Sequence, residues 1–221
     1  MDQTNRIALD GAAIQEMREA NETRAAFCRF LASLYLYELT DEQIEAFAHI
    51  EIAGDGTAID EGLRAIKEYL RHRHGGTRQE LAVDYARVFL GAGSYDRILA
   101  PPYESVFTSE EGLLFQDSYH EVYRLYRQNS VRKSPGYDFP DDHLSYLCEF
   151  QALLARRAVR SLEANDAECA LEQVRLSQHV LHDHILSWFD DFEELALHLV
   201  KTRFYRGVLK MSKGFFLFDA E

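Results

Sequence analysis

The sequence predicts an all-α protein, a single compact bundle of roughly ten helices. Apolar residues recur with helical period along most of the 221 residues, N-capping signals precede several of these stretches, and few stretches alternate as strands do. Hydrophobic residues make up 47% of the chain, which is enough to fill a core. Because no repeat or low-complexity segment divides the sequence, we expect one domain over residues 1–221, with a flexible N-terminus at 1–13.

The N-terminal half contains four helical patterns, each bounded by a cap or a glycine. Ser, Thr, Asp and Asn are favoured at the N-cap because their side chains accept from free backbone N–H groups, and glycine readily adopts a left-handed cap. The predicted helices are Ile14–Leu39; a short helix opened by the capping box Thr40/Gln43; Ile59–His72, ended by a left-handed cap at Gly75-Gly76; and a helix opened by the capping box Thr77/Glu80 that stops at Gly91.

The C-terminal half continues in the same way, with two prolonged loops. These loops, at residues 91–107 and 130–140, have unusual content, and long ordered loops in helical proteins tend to carry function. The predicted helices are one from the capping box Thr108/Glu111 to about Asn129; one from Asp141 to Asn165; one from Asp166 to about Trp188; and further helical pattern through Leu199 to Met211.

Composition and charge exclude several classes of function. The formal net charge of −13, without a long basic run, disfavours nucleic acid and acidic membrane surfaces and permits attraction of a basic partner. Cys28, Cys148 and Cys169 are widely spaced, so neither a disulfide framework nor a zinc site is indicated. No apolar run approaches the span of a bilayer and no secretory leader is visible, so we expect a cytoplasmic protein without stable membrane insertion.

The first signature segment, residues 85–107, joins a helix end to a stiff loop. Gly91 and Gly93 permit a tight turn after the helix that carries Tyr85 and Phe89. Two prolines then restrict the returning chain and hold the residues that follow in place. An ordinary helix stop with a turn explains the spacing equally. The residues of this loop that we single out are Pro101, Pro102, Tyr103, Glu104 and Ser105.

The second signature segment, residues 139–150, places acidic and apolar side chains on neighbouring faces of a helix. Asp142, Tyr146 and Glu149 follow i, i+4, i+7 spacing and share one face. Asp141 and His143 stand in the first turn, where carboxylates also stabilise a helix without any ligand. A carboxylate face beside an apolar one suits a basic, apolar peptide.

A histidine cluster further along offers a weaker alternative. His179, His182 and His184 stand near Asp183, but no H-E-x-x-H pattern accompanies them, so surface or half-buried histidines are the simpler interpretation. The corresponding function would be a helical metal-dependent hydrolase that also uses the acidic and histidine side chains at 141–143. The sequence lacks a nucleophile elbow and a Walker lysine.

Four segments in order resemble the TorD/DmsD/NarJ family of redox-enzyme maturation chaperones, and the TorD-like branch most closely. Residues 85–107 resemble the family's Tyr-x-x-x-Phe-x-Gly-x-Gly followed by Pro-Pro-x-Glu-Ser-Val, and residues 140–144 resemble its Glu-Pro-x-Asp-His. Residues 184–189 are similar to its His-x-x-x-Trp stretch, and 204–207 to its closing helix. In two departures, Phe139 replaces the usual glutamate with Asp141 beside the aspartate, and Leu147 stands where many relatives carry an acid.

The resemblance implies a TorD-like helical fold, no catalysis, and no cofactor or metal of the protein's own. It implies binding to the catalytic subunit of a molybdopterin oxidoreductase, through its twin-arginine signal peptide, its apoprotein or both, until cofactor is inserted. Either a monomer or a helix-swapped dimer is compatible with it. The positions that carry the family pattern over are Tyr85, Phe89, Gly91, Gly93, Pro101, Pro102, Glu104, Ser105, Asp142, His143 and Trp188.

These residues suggest a binding mechanism. Glu104, Asp142 and Glu149 are expected to border a groove in which two client arginines pair with carboxylates while the apolar part of the peptide lies on aromatic rings. His143 is expected to act either as a pH-sensitive partner of a carboxylate or as a plain hydrogen-bond donor. An adaptor that does not recognise the signal peptide is a further alternative.

Overall fold

The computed structural model describes residues 10–52, 54, 56–90 and 99–221. Within these residues it contains ten α-helices and one π-helical turn, with an isolated β-bridge and no strand, so the predicted all-α fold is confirmed. The elements are α1 (Gly11–Leu36), α2 (Asp41–His49), α3 (Ala58–Leu70), α4 (Thr77–Phe89), α5 (Glu104–Thr108), α6 (Asp117–Gln128), α7 (Leu144–Glu163), α8 (Ala167–Leu181), the π-turn (His182–Leu186), α9 (Ser187–Leu199) and α10 (Arg203–Asp219).

Two of the predicted helix starts coincide with caps in the structure. Thr40 accepts from the backbone N–H of Gln43 and the Gln43 side chain accepts from the Thr40 N–H, which is the predicted capping box. Asp166 caps α8 by accepting from the Cys169 N–H. Each of these caps joins residues three positions apart, so the local sequence pattern is enough to predict it.

The predicted helix start at Thr77 is confirmed, but the caps predicted around residues 75–80 are wrong. α3 ends at Leu70, its C-cap Arg71 keeps a right-handed conformation, and Gly76 has φ −95°, so no left-handed cap forms there. Gly76 is also the N-cap of α4, and the Thr77 hydroxyl accepts from the N–H of His74 instead of capping the helix. The chain makes a compact turn in which the Thr77 side chain bonds to a residue before the helix.

The predicted helix start at Thr108 is also wrong. The Thr108 hydroxyl donates to the Glu104 carbonyl at 3.0 Å, which closes the last turn of the short helix α5. Helix α6 begins only at Asp117, after a loop in which Phe115 adopts φ 63°. The predicted loop over 91–107 therefore contains a helix, and part of the predicted helix is a loop. Helix α7 starts at Leu144, three residues later than predicted, because His143 is its N-cap.

Two long antiparallel contacts organise the core. Helices α1 and α7 pack against each other over most of their length, and α3 packs against α10. A Cβ built on Gly207 would lie 2.6 Å from the Gly62 carbonyl oxygen, so the backbones of α3 and α10 approach closely. Aromatic residues on α1, α4 and α9, including Tyr35, Phe89 and Phe192, join these two pairs. Among the described helices, none combines the length and apolarity needed to cross a membrane.

Candidate functional site

The two signature segments meet edge to edge. The N–H of Glu104 donates to the Asp142 carbonyl at 3.2 Å, and the N–H of Leu144 donates to the Pro102 carbonyl at 2.8 Å. This isolated antiparallel bridge brings together two segments that are about forty residues apart in sequence. The stiff proline turn and the N-terminus of α7 therefore form one unit.

The buried side chain of Asp142 stabilises this junction by accepting two hydrogen bonds. Its Oδ2 accepts from the Ser105 N–H at 2.9 Å and from the Ser105 hydroxyl at 2.5 Å, and the residue has an exposed fraction of 0%. Burial raises the pKa of Asp142, and the two hydrogen bonds from Ser105 oppose that shift. The carboxylate acts as a structural acceptor at the start of α5.

Glu104 forms a buried pair with His184. The His184 Nδ1 lies 3.0 Å and 3.1 Å from the two Glu104 carboxylate oxygens. Burial alone would lower the pKa of His184, but the hydrogen bond and the charge of Glu104 outweigh it and leave that pKa raised. Burial raises the pKa of Glu104, and His184 partly offsets this. We assign the pair as a carboxylate facing a protonated imidazole.

The π-turn connects this pair to Trp188. The Trp188 indole N–H donates to the His184 carbonyl at 2.7 Å, and its ring stacks on Phe107 at 5.6 Å. An extra residue in a helical turn re-aims the side chains around it, and here His184 points at α5. The segment that resembles the family's His-x-x-x-Trp stretch therefore docks on the first signature segment.

His143 is the N-cap of α7 and hydrogen-bonds to Ser145. Its Nδ1 accepts from the Ser145 N–H at 3.1 Å, so it is an acceptor at that atom. Burial lowers its pKa to about 3, which keeps the imidazole neutral in the physiological range. Its ring stacks on Phe139 at 5.1 Å. The expectation of a pH-sensitive partner for a carboxylate is wrong, because His143 has no charge to offer.

Tyr85 and Phe89 belong to the core. The Tyr85 hydroxyl donates to the Tyr35 carbonyl at 3.0 Å, and the Tyr85 and Phe89 rings meet edge to face at 5.2 Å. Gly91 and Gly93 lie outside the described residues.

The predicted acidic groove between Glu104 and Asp142 is therefore not open. The two side chains do lie at one junction, as the sequence suggested, but Glu104 is 2% exposed and Asp142 is fully buried. Both carboxylates bond to groups of the same chain, Glu104 to His184 and Asp142 Oδ2 to Ser105, and an arginine from a guest has no access to either in this structure. Of the three predicted carboxylates only Glu149 is exposed.

Asp141 and Lys133 hold the loop between α6 and α7. The Lys133 ammonium lies 2.7 Å from Asp141 Oδ1 and donates to the Phe139 carbonyl at 2.6 Å. The Tyr126 hydroxyl donates to the Asp141 carbonyl at 3.2 Å. The aspartate that departs from the family pattern thus anchors the loop and is itself buried.

An open cleft of about 330 Å³ lies beside this junction. Tyr146 and Glu149 line it, together with loop and helix residues that the sequence did not single out. A second cleft of about 310 Å³ shares Leu36 with it. The other residues that line the first cleft are Tyr126, Val131, Arg132, Lys133, Ser134, Tyr137, Ser145, Phe150, Leu153 and Arg156; those that line the second are Tyr37, Glu38, Tyr85, Leu90 and Phe139.

Four aromatic side chains, Tyr37, Tyr137, Phe139 and Tyr146, separate and line the two clefts, and we call them the aromatic cluster. Phe139 lies 5.8 Å from Tyr37 and 6.5 Å from Tyr146, and Tyr137 lies 6.4 Å from Tyr146, measured between ring centroids. Tyr37 was missed because the helical pattern ran on to Leu39, whereas α1 ends at Leu36 and turns Tyr37 outward. No local signal in the sequence marks that change.

Exposed carboxylates accompany the aromatic cluster. Glu38 lines the second cleft, Glu149 lines the first, and Asp138 stands between two members of the cluster in sequence. None of the three has an ion-pair partner among the described residues. Arginine from a guest would find free acceptors here.

The histidines near the π-turn do not converge. His179 pairs with Asp183 at 2.5 Å, both exposed, while His184 faces inward to Glu104. In the part of the chain that the structure describes, no group of three or more His, Cys, Asp and Glu side chains has an arrangement suited to a metal ion. The acidic and histidine side chains at 141–143 are each engaged elsewhere.

Comparisons with known proteins agree with the motif order. The family model described as nitrate reductase delta subunit matches residues 53–194. The chain is 25% identical to the chaperone protein TorD of Vibrio vulnificus (strain YJ016) over 94% of this chain and 98% of that protein. It is 28% identical to chaperone protein TorD of Psychrobacter sp. (strain PRwf-1) over 89% and 90%, and 27% identical to that of Vibrio parahaemolyticus over 94% and 97%. The chain therefore belongs to the nitrate reductase delta subunit family, the TorD/DmsD/NarJ family of redox-enzyme maturation chaperones, which is not a family of enzymes.

Proposed function

We propose that this protein is a cytoplasmic chaperone for a molybdopterin-containing oxidoreductase. It binds the twin-arginine signal peptide of that client, its apoprotein, or both, and assists cofactor insertion before export. The observation that carries the proposal is the aromatic cluster and the three carboxylates near it, which lack an ion-pair partner among the described residues and lie beside the joined signature segments. Family membership and the names of the relatives support it.

The signature residues divide into two roles in this proposal. The buried ones position the surface: Asp142, Ser105, Glu104 and Trp188 hold the loops in a fixed relation. The exposed residues around them, Tyr37, Tyr137 and Glu149, contact the guest. A surface held in one conformation loses less entropy on binding than a mobile one, so rigid loops favour affinity.

The chemistry of the surface fits a peptide with arginines and an apolar stretch. Glu38, Asp138 and Glu149 accept charge-assisted, bidentate hydrogen bonds from guanidinium groups. The apolar stretch lies on the rings of the aromatic cluster, as in other modes that combine a hydrophobic floor with a charged rim. The net charge of −13 adds long-range attraction for a basic peptide.

Binding of a synthetic twin-arginine leader, measured by calorimetry, tests the role of the carboxylates. The leaders are those of the molybdopterin oxidoreductases of the source organism. The double variant Glu38→Lys and Glu149→Lys should weaken binding by about tenfold or more, because it replaces attraction with repulsion at an exposed rim. Glu168→Lys/Glu172→Lys is the matched control, since both residues are exposed on α8 and line neither cleft.

The same reversal should have little effect on a leader whose two arginines are replaced by glutamine. This second leader completes a double-mutant cycle and isolates the arginine–carboxylate contribution. Equal affinity of wild type and double variant for the twin-arginine leader would refute this site. If no leader binds the wild-type protein while a leaderless client does, the protein is an adaptor without signal-peptide recognition.

The role of the aromatic cluster is tested on the exposed tyrosine of the α6–α7 loop. Tyr137→Ala removes a side chain that is 41% exposed, so it should weaken leader binding without destabilising the fold. Tyr123→Ala on α6 is the control, because Tyr123 is 44% exposed and lies outside both clefts. Equal losses for the two variants would show that the cluster has no special part in binding.

A further inference from the structure

The cleft beside the signature segments continues as a groove along the contact between α1 and α7. Arg156 lines both the first cleft and a shallow depression of about 490 Å³ further along the same two helices. On α7 the lining positions 146, 149, 153, 156 and 160 alternate in spacing of three and four residues, so they form one face of the helix. From 146 to 160 this face is about 21 Å long at the helical rise per residue.

Small side chains keep the far part of this groove open. Its floor consists of Ala25 and Ala26 on α1 and Val159 on α7. Residues at these positions lie on the ridges next to the helix contact, and larger side chains there would fill the depression. This part of the floor is therefore apolar and shallow, and it continues the face of α7 that runs back to Tyr146.

The walls of the far part are basic. Arg29, Arg156 and Arg160 line it, and Arg132 continues the series into the first cleft. None of these four arginines has an ion-pair partner among the described residues, although the chain as a whole carries thirteen more acidic than basic groups. The acidic Glu22 at the end of the groove lies 3.9 Å from Arg18. We call the surface lined by Arg29, Arg132, Arg156 and Arg160 the arginine groove.

We propose that the arginine groove binds an acidic, amphipathic segment in the mature body of the client apoprotein. This inference rests on the proposed chaperone function and adds a second contact to it. Charge complementarity selects the occupant. In the far part of the groove, a basic twin-arginine leader would be repelled by the guanidinium groups of Arg29, Arg156 and Arg160, whereas a segment with several carboxylates would pair with them bidentately.

The dimensions also suit such a segment. A helix of about 14 residues spans about 21 Å, with its apolar face on the alanine and valine floor and its carboxylates toward the arginines. Glu149 lies in the first cleft with Arg132 and Arg156, so the two binding regions meet there. From this cleft the surface presents acceptors for a basic stretch toward Glu38 and donors for an acidic stretch toward Arg29 and Arg160.

Charge reversal in the far part of the groove tests this proposal. The variant Arg29→Glu/Arg160→Glu changes only residues that lie outside the first cleft. Its control is Arg124→Glu/Arg127→Glu on α6, which makes the same change in net charge at two exposed arginines away from the groove. The probes are a fluorescent amphipathic peptide of about 14 residues with glutamates on its polar face, the same peptide with lysines, a leaderless oxidoreductase apoprotein, and the leader peptide.

We expect the groove variant to weaken binding of the glutamate peptide and of the leaderless apoprotein by about tenfold or more, with the control unchanged. Binding of the leader should be unaffected or slightly stronger. Wild-type affinity for the glutamate peptide should fall steeply as salt is raised, because exposed charge pairs are screened. The lysine peptide should bind the wild type weakly.

Ala26→Phe gives a test that leaves the charge unchanged. Ala26 is exposed on α1, so the larger side chain occupies the groove without entering the core. It should reduce binding of the glutamate peptide and leave leader binding intact, with the circular dichroism spectrum unchanged. Undiminished binding of both acidic probes to both groove variants would overturn the proposal.

Two other results would also overturn it. If the groove variant alters the oligomeric state measured by light scattering, the occupant is a second copy of this chain. If the groove variant weakens the leader as much as the leaderless apoprotein, the groove is part of the leader site. Loss of leader binding in the Glu38/Glu149 variant alone would, in contrast, concern only the proposed function.

Discussion

At the junction of the two signature segments, Asp142 makes the contact on which the others depend. Its carboxylate satisfies both the backbone N–H and the hydroxyl of Ser105 in a fully buried position. Replacing it with alanine leaves two buried donors unpaired, which typically costs about 1–3 kcal/mol for each group. We therefore expect Asp142→Ala to lower the free energy of unfolding by at least this amount in urea titrations.

Asp142→Asn is the informative comparison for that variant. The amide oxygen can still accept from Ser105, so the loss of stability should be clearly smaller than for alanine. Asp138→Ala, at an exposed position in the preceding loop, should leave the unfolding free energy almost unchanged. Equal stability of the alanine and asparagine variants would show that the hydrogen bonds to Ser105 contribute little.

The buried Glu104–His184 pair makes stability depend on pH in a defined direction. The pKa values of both groups are raised in the folded chain, so the folded state holds protons more tightly than the unfolded state. The stabilisation is fully present below the ordinary pKa of each group and is lost as pH rises through its folded pKa. For His184 the loss begins above its ordinary value of about 6.5.

We accordingly expect the wild-type urea midpoint to fall between about pH 5 and pH 8, and His184→Gln to flatten this dependence. The other charges around the pair are Glu121, Asp142 and Asp183, which all favour the protonated imidazole or oppose the Glu104 charge. His198→Gln, an exposed substitution on α9, should retain the wild-type slope. A steep slope that survives in the His184 variant would assign the dependence to other groups.

Among the elements, the close contact of α3 and α10 determines whether replacing Gly207 stabilises or destabilises the protein. In a free helix interior, alanine is more favourable than glycine by about 1 kcal/mol. At Gly207 the added Cβ would lie 2.6 Å from the Gly62 carbonyl oxygen and 2.9 Å from Ile66, so the helices must move apart. We expect Gly207→Ala to destabilise the protein by about 1–3 kcal/mol in spite of its helix propensity.

Gly75→Ala provides the control for this prediction. A Cβ at Gly75 meets no heavy atom within 4 Å, so the substitution should be nearly neutral in the same unfolding measurement. Stability of Gly207→Ala equal to or above that of the wild type would mean that α3 and α10 can separate without loss of packing.

At the scale of the whole molecule, two binding regions on one groove imply that a client with both segments binds more tightly than either segment alone. If leader and mature body bind together, the second contact is intramolecular, and the intact client should bind about 10²–10⁴ times more tightly than the leader alone. The Arg29→Glu/Arg160→Glu variant should reduce intact-client binding to about the affinity of the leader. Competition assays with intact, leaderless and leader-only probes measure this, and equal affinity of intact client and leader would contradict it.

Local patterns account for most of the helices and for little of the site. The capping box at Thr40 and the cap at Asp166 could be predicted because every atom involved lies within three residues. Thr77 and Thr108 show the same residue type followed by an acid three positions later, yet their hydroxyls serve the preceding turn. Whether a threonine caps the following helix or closes a turn before it depends on backbone geometry that the pattern does not contain.

The site depends on contacts between distant residues, which the sequence indicates only through motif order. Glu104 and Asp142 were expected to border a groove, and they do lie close together, but both are buried. Their burial was not foreseen, because His184 lies eighty residues from Glu104 and reaches it only through the π-turn. Tyr37, Arg29 and Arg160 belong to none of the sequence motifs. Tyr37 lies next to Phe139, and Arg29 lies near Arg156 and Arg160, because α1 packs along α7.

The position of Trp188 provides a means of observing this junction directly. It is the one tryptophan of the chain, and it lies buried between Phe107 on α5 and the carbonyl of His184. Its fluorescence therefore originates where three distant stretches of sequence meet. A red shift of the Trp188 emission would report that water has entered the junction. The emission wavelength of this indole therefore distinguishes an intact junction from an opened one without any added label.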